Sequence, residues 1–234
     1  MVDAVLLDVG GVFHLPDPDR ILGALARAGH DADRELLARA HYAGAAAFNI
    51  DVDANLEWHE TWNSYNVGYA RAVGVPDELL GEAVEHLMAE FATAALWTNV
   101  IPGSRDGLQA LVDTGVKVGI VSNADGTVAV RLREAEVLQV GPGPGVEVGC
   151  VIDSGAVGVT KPDPAIFAIA LDALGVAPDR TWYVGDMPAI DVVGARAAGL
   201  RPIVIDPFDV HGGLDCDRVQ LLHEVAAMVV AARG

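Results

Sequence analysis

The segment LLDVGGVFH, residues 6–14, decides how the chain folds. A short apolar run ends at Asp8 and is followed by Gly10 and Gly11. A continuous, β-branched apolar run bounded by a glycine pair is typical of a strand that is buried on both faces of a parallel sheet. The sequence therefore predicts a first, buried strand in VDAVLLD, with Asp8 at its carboxyl end.

The hydrophobic pattern differs between the middle of the chain and its C-terminal part. From about Asp17 to Trp97, apolar residues recur at three and four positions, which predicts helices and no comparable strand. After Trp97, helical and strand patterns alternate, which predicts βαβ units. We expect an α/β protein with a Rossmann-like, doubly wound parallel sheet in three α/β/α layers, formed by residues 1–16 and 98–234. Residues 17–97 are expected to be an inserted all-helical cap.

The composition excludes some classes of partner. The chain has 234 residues and a formal net charge of −18, from 33 acidic and 15 basic residues. This charge would repel nucleic acid, and an anionic substrate would need a local cation or N–H donors. The N-terminus does not resemble a signal peptide, and VAAMVVAA is too short to span a bilayer. We expect a cytoplasmic protein without nucleic-acid or membrane partners; the sequence does not distinguish monomer from dimer.

Polar residues recur where the predicted strands end. In an open parallel sheet, ligands bind beyond the carboxyl ends of the strands. The residues expected at this edge are Asp8, Ser122, Asn123 and Asp186, together with Asp191 at the start of a helix and Lys161 just before another helix. The sequence therefore predicts one site at which all of these side chains meet.

The predicted site has the groups needed for phosphoryl transfer. Three carboxylates at one edge repel one another unless a cation lies among them, and an all-oxygen ligand set suits Mg²⁺. Lys161, the Ser122 hydroxyl and backbone N–H groups of the Gly10–Gly11 turn are expected to hold the phosphoryl oxygens. Asp8 would attack phosphorus and form an aspartyl-phosphate that water hydrolyses.

Four motifs, in this order, carry a family resemblance: DVGGV with Asp8, GIVSN with Ser122, TKPDPAIF with Lys161, and VGDMPAID with Asp186 and Asp191. The chain resembles the haloacid dehalogenase superfamily over essentially its whole length. The resemblance implies a Mg²⁺-dependent phosphatase acting on a small phosphorylated molecule, with a helical cap inserted after the first strand.

The resemblance also implies a role for each motif residue. Asp8 is the nucleophile, and the proposed Mg²⁺ ligands are Asp8, the Gly10 carbonyl, Asp186 and Asp191. Asp191 has an alternative role as a residue that orients the ligands. Phosphate contacts are expected from Gly11, Ser122, Asn123 and Lys161.

Gly10 departs from the family pattern. The residue two positions after the nucleophile usually binds Mg²⁺ through its carbonyl, and its side-chain carboxyl acts as general acid and base. Glycine retains only the carbonyl. General acid–base catalysis typically contributes about 10²- to 10⁴-fold in rate. The departure therefore bears directly on activity.

Three hypotheses follow. The first is a phosphatase whose substrate leaves easily, such as an anomeric sugar phosphate, or in which His14 or a cap residue replaces the missing acid or base. The second is a 2-haloacid dehalogenase in which Asp8 attacks carbon without a metal, although the acidic GDMPAID motif argues against it. The third is a catalytically weak protein that binds a phospho-ligand or a partner, because a fold alone does not specify a function.

The predicted cap contains aromatic residues whose role the sequence does not decide. Trp58, Trp62 and Tyr65 either face a substrate or form the core of the cap. None of the seven histidines is predicted to be a metal ligand, and His59 and His86 are expected to be surface or packed residues. The sequence does not identify the substrate.

Overall fold

The computed structural model describes residues 1–53 and 58–234, and it describes side chains outside residues 49–61 and residue 94. The strands in the described part are β1 (Ala4–Leu7), β2 (His14–Pro16), β3 (Trp97–Val100), β4 (Lys117–Ser122), β5 (Leu138–Val140), β6 (Val146–Val148), β7 (Cys150–Asp153), β8 (Thr181–Gly185), β9 (Arg201–Ile205) and β10 (Asp217–Val219).

The described α-helices are α1 (Pro18–Arg27), α2 (Leu37–Asp53), α3 (Trp58–Ala72), α4 (Asp77–Phe91), α5 (Ser104–Asp113), α6 (Val128–Glu134), α7 (Ser154–Val157), α8 (Ala165–Leu174), α9 (Pro188–Ala197) and α10 (Leu222–Arg233). Short 3-10 helices precede α2, β3 and β8.

The main sheet has six strands in the order β10-β9-β8-β1-β4-β7, and all of its strand pairs are parallel. β1 lies between β4 and β8, with Leu7 in register with Ile120 on one side and Val184 on the other. Because the three strands run in the same direction, their carboxyl ends lie at one edge. The predicted α/β fold class is confirmed.

Side chains of β1 alternate between two hydrophobic layers. Val5 and Leu7 pack in a layer with residues of α5 and α10, whereas Ala4 and Leu6 pack in a layer with residues of α8. All four side chains are fully buried. A parallel strand covered by helices on both faces requires such a continuous apolar run.

Helices α1 to α4 follow β2 and precede β3, so they form a helical insertion between the first two strands of the main sheet, β1 and β4. Their shared core includes Leu25, Tyr65 and Leu87. Met187 and Ile190, at the beginning of α9, belong to the same hydrophobic cluster. The insertion therefore packs against the beginning of α9, the helix that carries Asp191.

Short strands outside the main sheet were not predicted. β2 pairs with β3 in an antiparallel ribbon whose register shifts between Leu15 and Pro16, and β5 pairs with β6. β10, at the edge of the main sheet, was not predicted either. Three- and four-residue strands have too little periodicity to be recognised, because their conformation depends on tertiary pairing.

Neither cysteine is in a disulfide: Cys150 is buried in β7, and Cys216 is half-buried. Within the described residues, no helix is long and apolar enough to cross a membrane.

Glu90 joins α4 to α1. Its carboxylate accepts hydrogen bonds from Arg20 Nε at 2.9 Å and Arg27 Nη2 at 2.9 Å. Partial burial alone would raise the pKa of Glu90, but the bonds from the two arginines lower the pKa below its ordinary value. A lowered pKa in the folded state stabilises the protein above the unfolded-state pKa, and this stabilisation is lost as the pH falls.

We expect Glu90→Gln to lower the free energy of unfolding by about 0.5–1 kcal/mol at pH 7, because the ion pairs are partly exposed and screened. Urea unfolding at pH 7 and pH 4 should show the difference from wild type shrinking at the lower pH. The control is Glu85→Gln, which changes an exposed carboxylate on the same helix. An equal loss of unfolding free energy in the two variants, or a loss that does not depend on pH, would contradict the stabilising role of the Glu90 ion pairs.

Candidate active site

Asp8 lies at the carboxyl end of β1, in the first residue after the strand. Its backbone N–H donates to the Val184 carbonyl at 2.9 Å and so continues the sheet pairing by one residue. The chain then turns sharply, because the N–H groups of Phe13 and His14 both donate to the Val9 carbonyl, at 2.9 and 3.1 Å. This turn holds the Asp8 side chain at the edge of the sheet.

Gly11 is required where the turn passes Asp186. Its φ is +63°, and a Cβ at this position would lie 2.3 Å from Asp186 Cγ. The Gly11 N–H donates to the His14 carbonyl at 2.9 Å, and the Gly11 carbonyl accepts from the Tyr42 hydroxyl at 2.7 Å. The structure thus gives this N–H a partner within the turn, and the phosphate contact of Gly11 stays a prediction.

Three buried carboxylates converge at this edge. Asp8, Asp186 and Asp191 each offer an oxygen, and these oxygens lie within 4.8 Å of one another. Asp186 follows β8 directly, and Asp191 lies in the first turn of α9. The sequence predicted this grouping, and the parallel register of β1 and β8 produces it.

The Lys161 ammonium lies between two of these carboxylates. Its Nζ is 2.8 Å from Asp8 Oδ2, 2.8 Å from Asp191 Oδ1 and 2.7 Å from the Tyr183 hydroxyl. The lysine is only 2% exposed. Burial alone would lower its pKa, but the carboxylates of Asp191 and Asp8 raise the pKa above its usual range. Lys161 therefore remains a cation at neutral pH.

Asp8 is held near the boundary between its two protonation states. Burial raises its pKa to about 7, and the charges of Asp191 and Asp186 also raise it, while Lys161 opposes them. One buried cation thus does not balance three carboxylates. A second cation at this place would favour the ionised form of Asp8.

The atoms of this cluster fit a hard divalent cation. The donors are all carboxylate oxygens, which Mg²⁺ prefers. Asp186 Oδ2 is buried and makes no hydrogen bond in the described part of the chain. By contrast, both oxygens of Asp191 are engaged: Oδ1 accepts from Lys161 and Tyr183, and Oδ2 accepts from the Met187 N–H at 2.9 Å.

Ser122 and Asn123 lie at the end of β4 and line the same cavity. The Ser122 side chain is buried. The Asn123 amide bonds to the backbone of Lys161 in both directions: its Nδ2 donates to the Lys161 carbonyl at 3.0 Å, and its Oδ1 accepts from the Lys161 N–H at 2.8 Å. Asn123 was predicted to contact phosphate; in the structure it fixes the segment that carries Lys161.

His41 is a site residue that the sequence did not reveal. It lies on α2 and is 1% exposed, and its Nε2 is 2.8 Å from Asp186 Oδ2 without being aligned for a hydrogen bond. Its Nδ1 lies 2.7 Å from the Tyr65 hydroxyl. A histidine in an alanine-rich helical stretch gives no local signal, since only the packing of α2 onto the sheet edge brings it to the carboxylates.

An aromatic ring lies close to Gly10. A Cβ at Gly10 would lie 3.3 Å from Trp97 Cζ3, so a side chain there would require the indole to move by a few tenths of an ångström. His14, the suggested replacement for the missing acid or base, is buried in β2 and lines the cavity. Burial and the nearby Arg131 lower the pKa of His14 to about 4. Its imidazole is therefore neutral at pH 7 and is poorly suited to donate a proton.

A cavity of about 260 Å³ opens above the carboxylates. Its floor contains Asp8, Ser122 and Lys161, and its aromatic wall is formed by Trp62, Phe91 and Trp97. Trp62 also packs against Phe48 and Tyr65, while Tyr65 is fully buried in the helical core. The side chains of Trp58 and His59 lie outside the described residues, and His86 is partly exposed beside Glu82.

A family model described as haloacid dehalogenase-like hydrolase matches residues 2–199. A phosphoserine phosphatase from Thermus thermophilus is 49% identical over 67 residues, which are 29% of this chain and 27% of that protein. A ribulose-1,5-bisphosphate 5-phosphatase from Halopiger xanaduensis is 27% identical over 215 residues, which cover 89% of this chain and 87% of that protein. The first of these matches thus spans about a quarter of its relative.

Among solved structures, a 2-haloacid dehalogenase from Pseudomonas syringae pv. tomato superposes over 100% of both chains with a TM-score of 0.57 and 22% identity. At this identity the match shows a shared fold and nothing about the reaction.

We expect Gly11→Ala to destabilise the protein more than Gly103→Ala. Both glycines have positive φ, so each substitution should cost about 1–2 kcal/mol in backbone strain. Only Gly11 has a neighbour in the way, namely the Asp186 side chain, whereas nothing lies within 4 Å of a Cβ at Gly103. Overpacking should add about 1–3 kcal/mol at Gly11. Equal free energies of unfolding in urea would contradict the close approach to Asp186.

Proposed function

Because the chain belongs to the haloacid dehalogenase-like hydrolase family, we propose that it is a phosphatase that hydrolyses a small phosphomonoester through Asp8. The observation that carries this proposal is the buried cluster in which Lys161 bridges Asp8 and Asp191 while Asp186 Oδ2 lies without a hydrogen bond. The named phosphatases among its relatives support the same reaction class.

In the proposed reaction, a carboxylate oxygen of Asp8 attacks phosphorus as the bond from phosphorus to the leaving oxygen breaks. This step produces an aspartyl-phosphate and releases the leaving group as an oxyanion or, if protonated, as an alcohol. Water then attacks phosphorus, the bond to Asp8 breaks, and phosphate is released with the Asp8 carboxylate regenerated. The burial of Asp8 keeps the acyl phosphate away from bulk solvent.

We assign Mg²⁺ to the carboxylate cluster, with Asp8, Asp186 and the Gly10 carbonyl as proposed ligands. When bound, Mg²⁺ would neutralise charge on the phosphoryl oxygens. Since both oxygens of Asp191 already accept hydrogen bonds, we assign it the orienting role: it holds Lys161 and the backbone at Met187. Asp191 thus stabilises the geometry around the cation rather than supplying its main ligand.

The phosphoryl group would be held by groups beside Asp8. Lys161 Nζ is 2.8 Å from Asp8 Oδ2, so it can contact an oxygen of a group that Asp8 attacks. The Ser122 side chain lines the same floor. In the described part of the chain, the N–H groups of Val9 and Gly10 make no hydrogen bond, which makes them the donors of the turn that fit this role in place of Gly11.

We further propose that residues 17–97 act as the cap of this site. The proposal is supported by the contacts that the helices make with it: His41 and Tyr42 of α2 reach Asp186 and Gly11, and Trp62 and Phe91 line the cavity. Substrate selection would then depend on these helices, because they form the wall that faces the leaving group.

A dehalogenase remains the weaker hypothesis. Attack on carbon needs a carboxylate nucleophile but no cluster of further acidic residues. Asp186, with its unbonded oxygen beside Asp8, would only add repulsion there.

We expect Asp8→Asn to lower phosphate release by at least about 10³-fold without loss of folding, because the amide is not a nucleophile. The assay is phosphate release from p-nitrophenyl phosphate with and without Mg²⁺, with circular dichroism as the folding check. The matched control is Asp113→Asn, which changes an exposed residue at the end of α5. Calorimetry of Mg²⁺ binding to the same proteins tests the cation site without turnover. Mg²⁺-dependent activity in Asp8→Asn would overturn the mechanism.

We expect Gly10→Asp alone to lower activity by about 10- to 100-fold, because the new side chain presses on Trp97 in the cavity wall, and small displacements of groups around the reacting atoms have effects of this size. Gly10→Asp combined with Trp97→Leu should leave room for the carboxyl and raise turnover of glycerol phosphate relative to the single variant. A single Gly10→Asp variant that hydrolyses glycerol phosphate faster than wild type would show that Trp97 is no obstacle.

A further inference from the structure

We propose that the leaving group is a small aromatic alcohol, so that the substrate is an aryl phosphate with a single ring and a single phosphate. This inference rests on the proposed phosphatase function and specifies its substrate class. It follows from four features of the cavity: its aromatic wall, the absence of a side chain at position 10, the pairing of its cations and its size.

The cavity lining includes a group of aromatic and apolar side chains beside the polar residues His14, His41, Asn123, Asp125 and Arg131, and we assign the apolar group to the leaving group. Trp62, Phe91 and Trp97 line the cavity from the helical insertion and β3, and Met187 and Ile190 line it from the beginning of α9. A sugar would need hydrogen-bond partners for several hydroxyl groups, and hydroxyls buried against this wall would lose their bonds to water. An aromatic ring instead gains from burial and from edge-to-face contacts with such side chains.

The chemistry at position 10 favours the same class. Gly10 offers no proton to the leaving oxygen, and a Cβ there would lie 3.3 Å from the Trp97 ring, a tight contact for any larger side chain. The conjugate acid of an alkoxide is about as weak an acid as water, so an alkoxide leaves poorly without a proton. A phenol has a pKa of about 10, so a phenolate leaves as an anion with much less need of acid catalysis.

The charges of the cavity argue against a second anionic group. Among the described side chains that line it, the lysine and arginine residues are Lys161 and Arg131. Lys161 is paired with Asp8 and Asp191, and Arg131 Nη2 is 2.8 Å from Asp125 Oδ2. A bisphosphate would have to displace one of these pairs. A monophosphate with an uncharged ring would need only the groups at the floor of the cavity for binding.

The size of the cavity fits one ring. An apolar cavity of about 150 Å³ is sufficient for benzene. The present cavity of about 260 Å³ therefore has space for one ring and a phosphoryl group.

The test compares four phosphates at saturating Mg²⁺: phenyl phosphate, cyclohexyl phosphate of similar size, benzyl phosphate and acetyl phosphate. Acetyl phosphate has a good leaving group and no ring, so it reports the basic reaction. We expect kcat/KM for phenyl phosphate to exceed that for cyclohexyl phosphate by at least about 100-fold, the usual range of missing acid catalysis. Benzyl phosphate, which has a ring but an alkyl oxygen, should bind with a KM similar to that of phenyl phosphate and show a lower kcat.

Substitutions at Trp62 test the wall. Trp62→Leu should lower the ratio of kcat/KM for phenyl phosphate to that for acetyl phosphate by about tenfold, the effect of roughly 1.4 kcal/mol. Trp62→Phe, which keeps an aromatic ring, should largely restore the ratio. The matched control is Val230→Ala, which removes exposed apolar surface from α10 and should leave the ratio unchanged. Thermal unfolding of each variant checks that the helical insertion is intact.

The outcomes separate the two proposals. No turnover of acetyl phosphate or phenyl phosphate, or turnover that survives Asp8→Asn, would overturn the proposed function itself. Asp8-dependent turnover in which cyclohexyl phosphate or a sugar phosphate equals phenyl phosphate would overturn the aryl assignment and leave the phosphatase intact. A ratio that Trp62→Leu does not change would likewise overturn the assignment of the wall. Preference for phenyl phosphate that depends on an aromatic residue at 62 would support it.

Discussion

The site depends on one buried ion cluster, in which the Lys161 ammonium contacts Asp8, Asp191 and the Tyr183 hydroxyl. Removing one member of a buried ion pair typically destabilises a protein by about 3–5 kcal/mol, because the remaining charge is uncompensated. Each member is fixed by a different element: Asp8 directly follows β1, Tyr183 lies in β8 and Asp191 lies in α9. The Lys161 backbone is fixed in turn by Asn123, which follows β4. The balance of charges therefore depends on the pairing of β1 with β4 and β8.

The helical insertion completes this cluster rather than merely covering it. Tyr42 donates to the carbonyl of the Gly11 turn, and His41 places an imidazole 2.8 Å from an Asp186 oxygen. Met187 and Ile190 share their hydrophobic cluster with the core of the insertion. The backbone at Met187 also donates to Asp191. The packing of the helices therefore affects the geometry of the carboxylates, so substitutions in the helices will change the positions of the reacting atoms.

The sequence predicts what depends on continuous pattern or on position at a strand end. The buried strand before Asp8 and the alternation of strands and helices define the sheet, and the sheet places Asp8, Asp186 and Lys161 together. Strands of three or four residues, such as β2 and β3, are too short to show a hydrophobic periodicity in the sequence. His41 and Trp97 were missed because their roles arise from contacts between distant segments. The roles predicted for Gly11 and Asn123 also depended on hydrogen bonds that local sequence does not specify.

The glycine at position 10 has an electrostatic consequence in addition to the lost proton donor. Without a bound cation, burial and the charges of Asp191 and Asp186 already raise the pKa of Asp8 to about 7. A fourth carboxylate beside these three would add to the repulsion and raise that pKa further, unless it stayed protonated. The neutral Trp97 ring near Gly10 adds no charge to the cluster. Glycine at position 10 therefore removes an acid without adding a fourth negative charge, and such a site suits a substrate whose leaving group needs no proton.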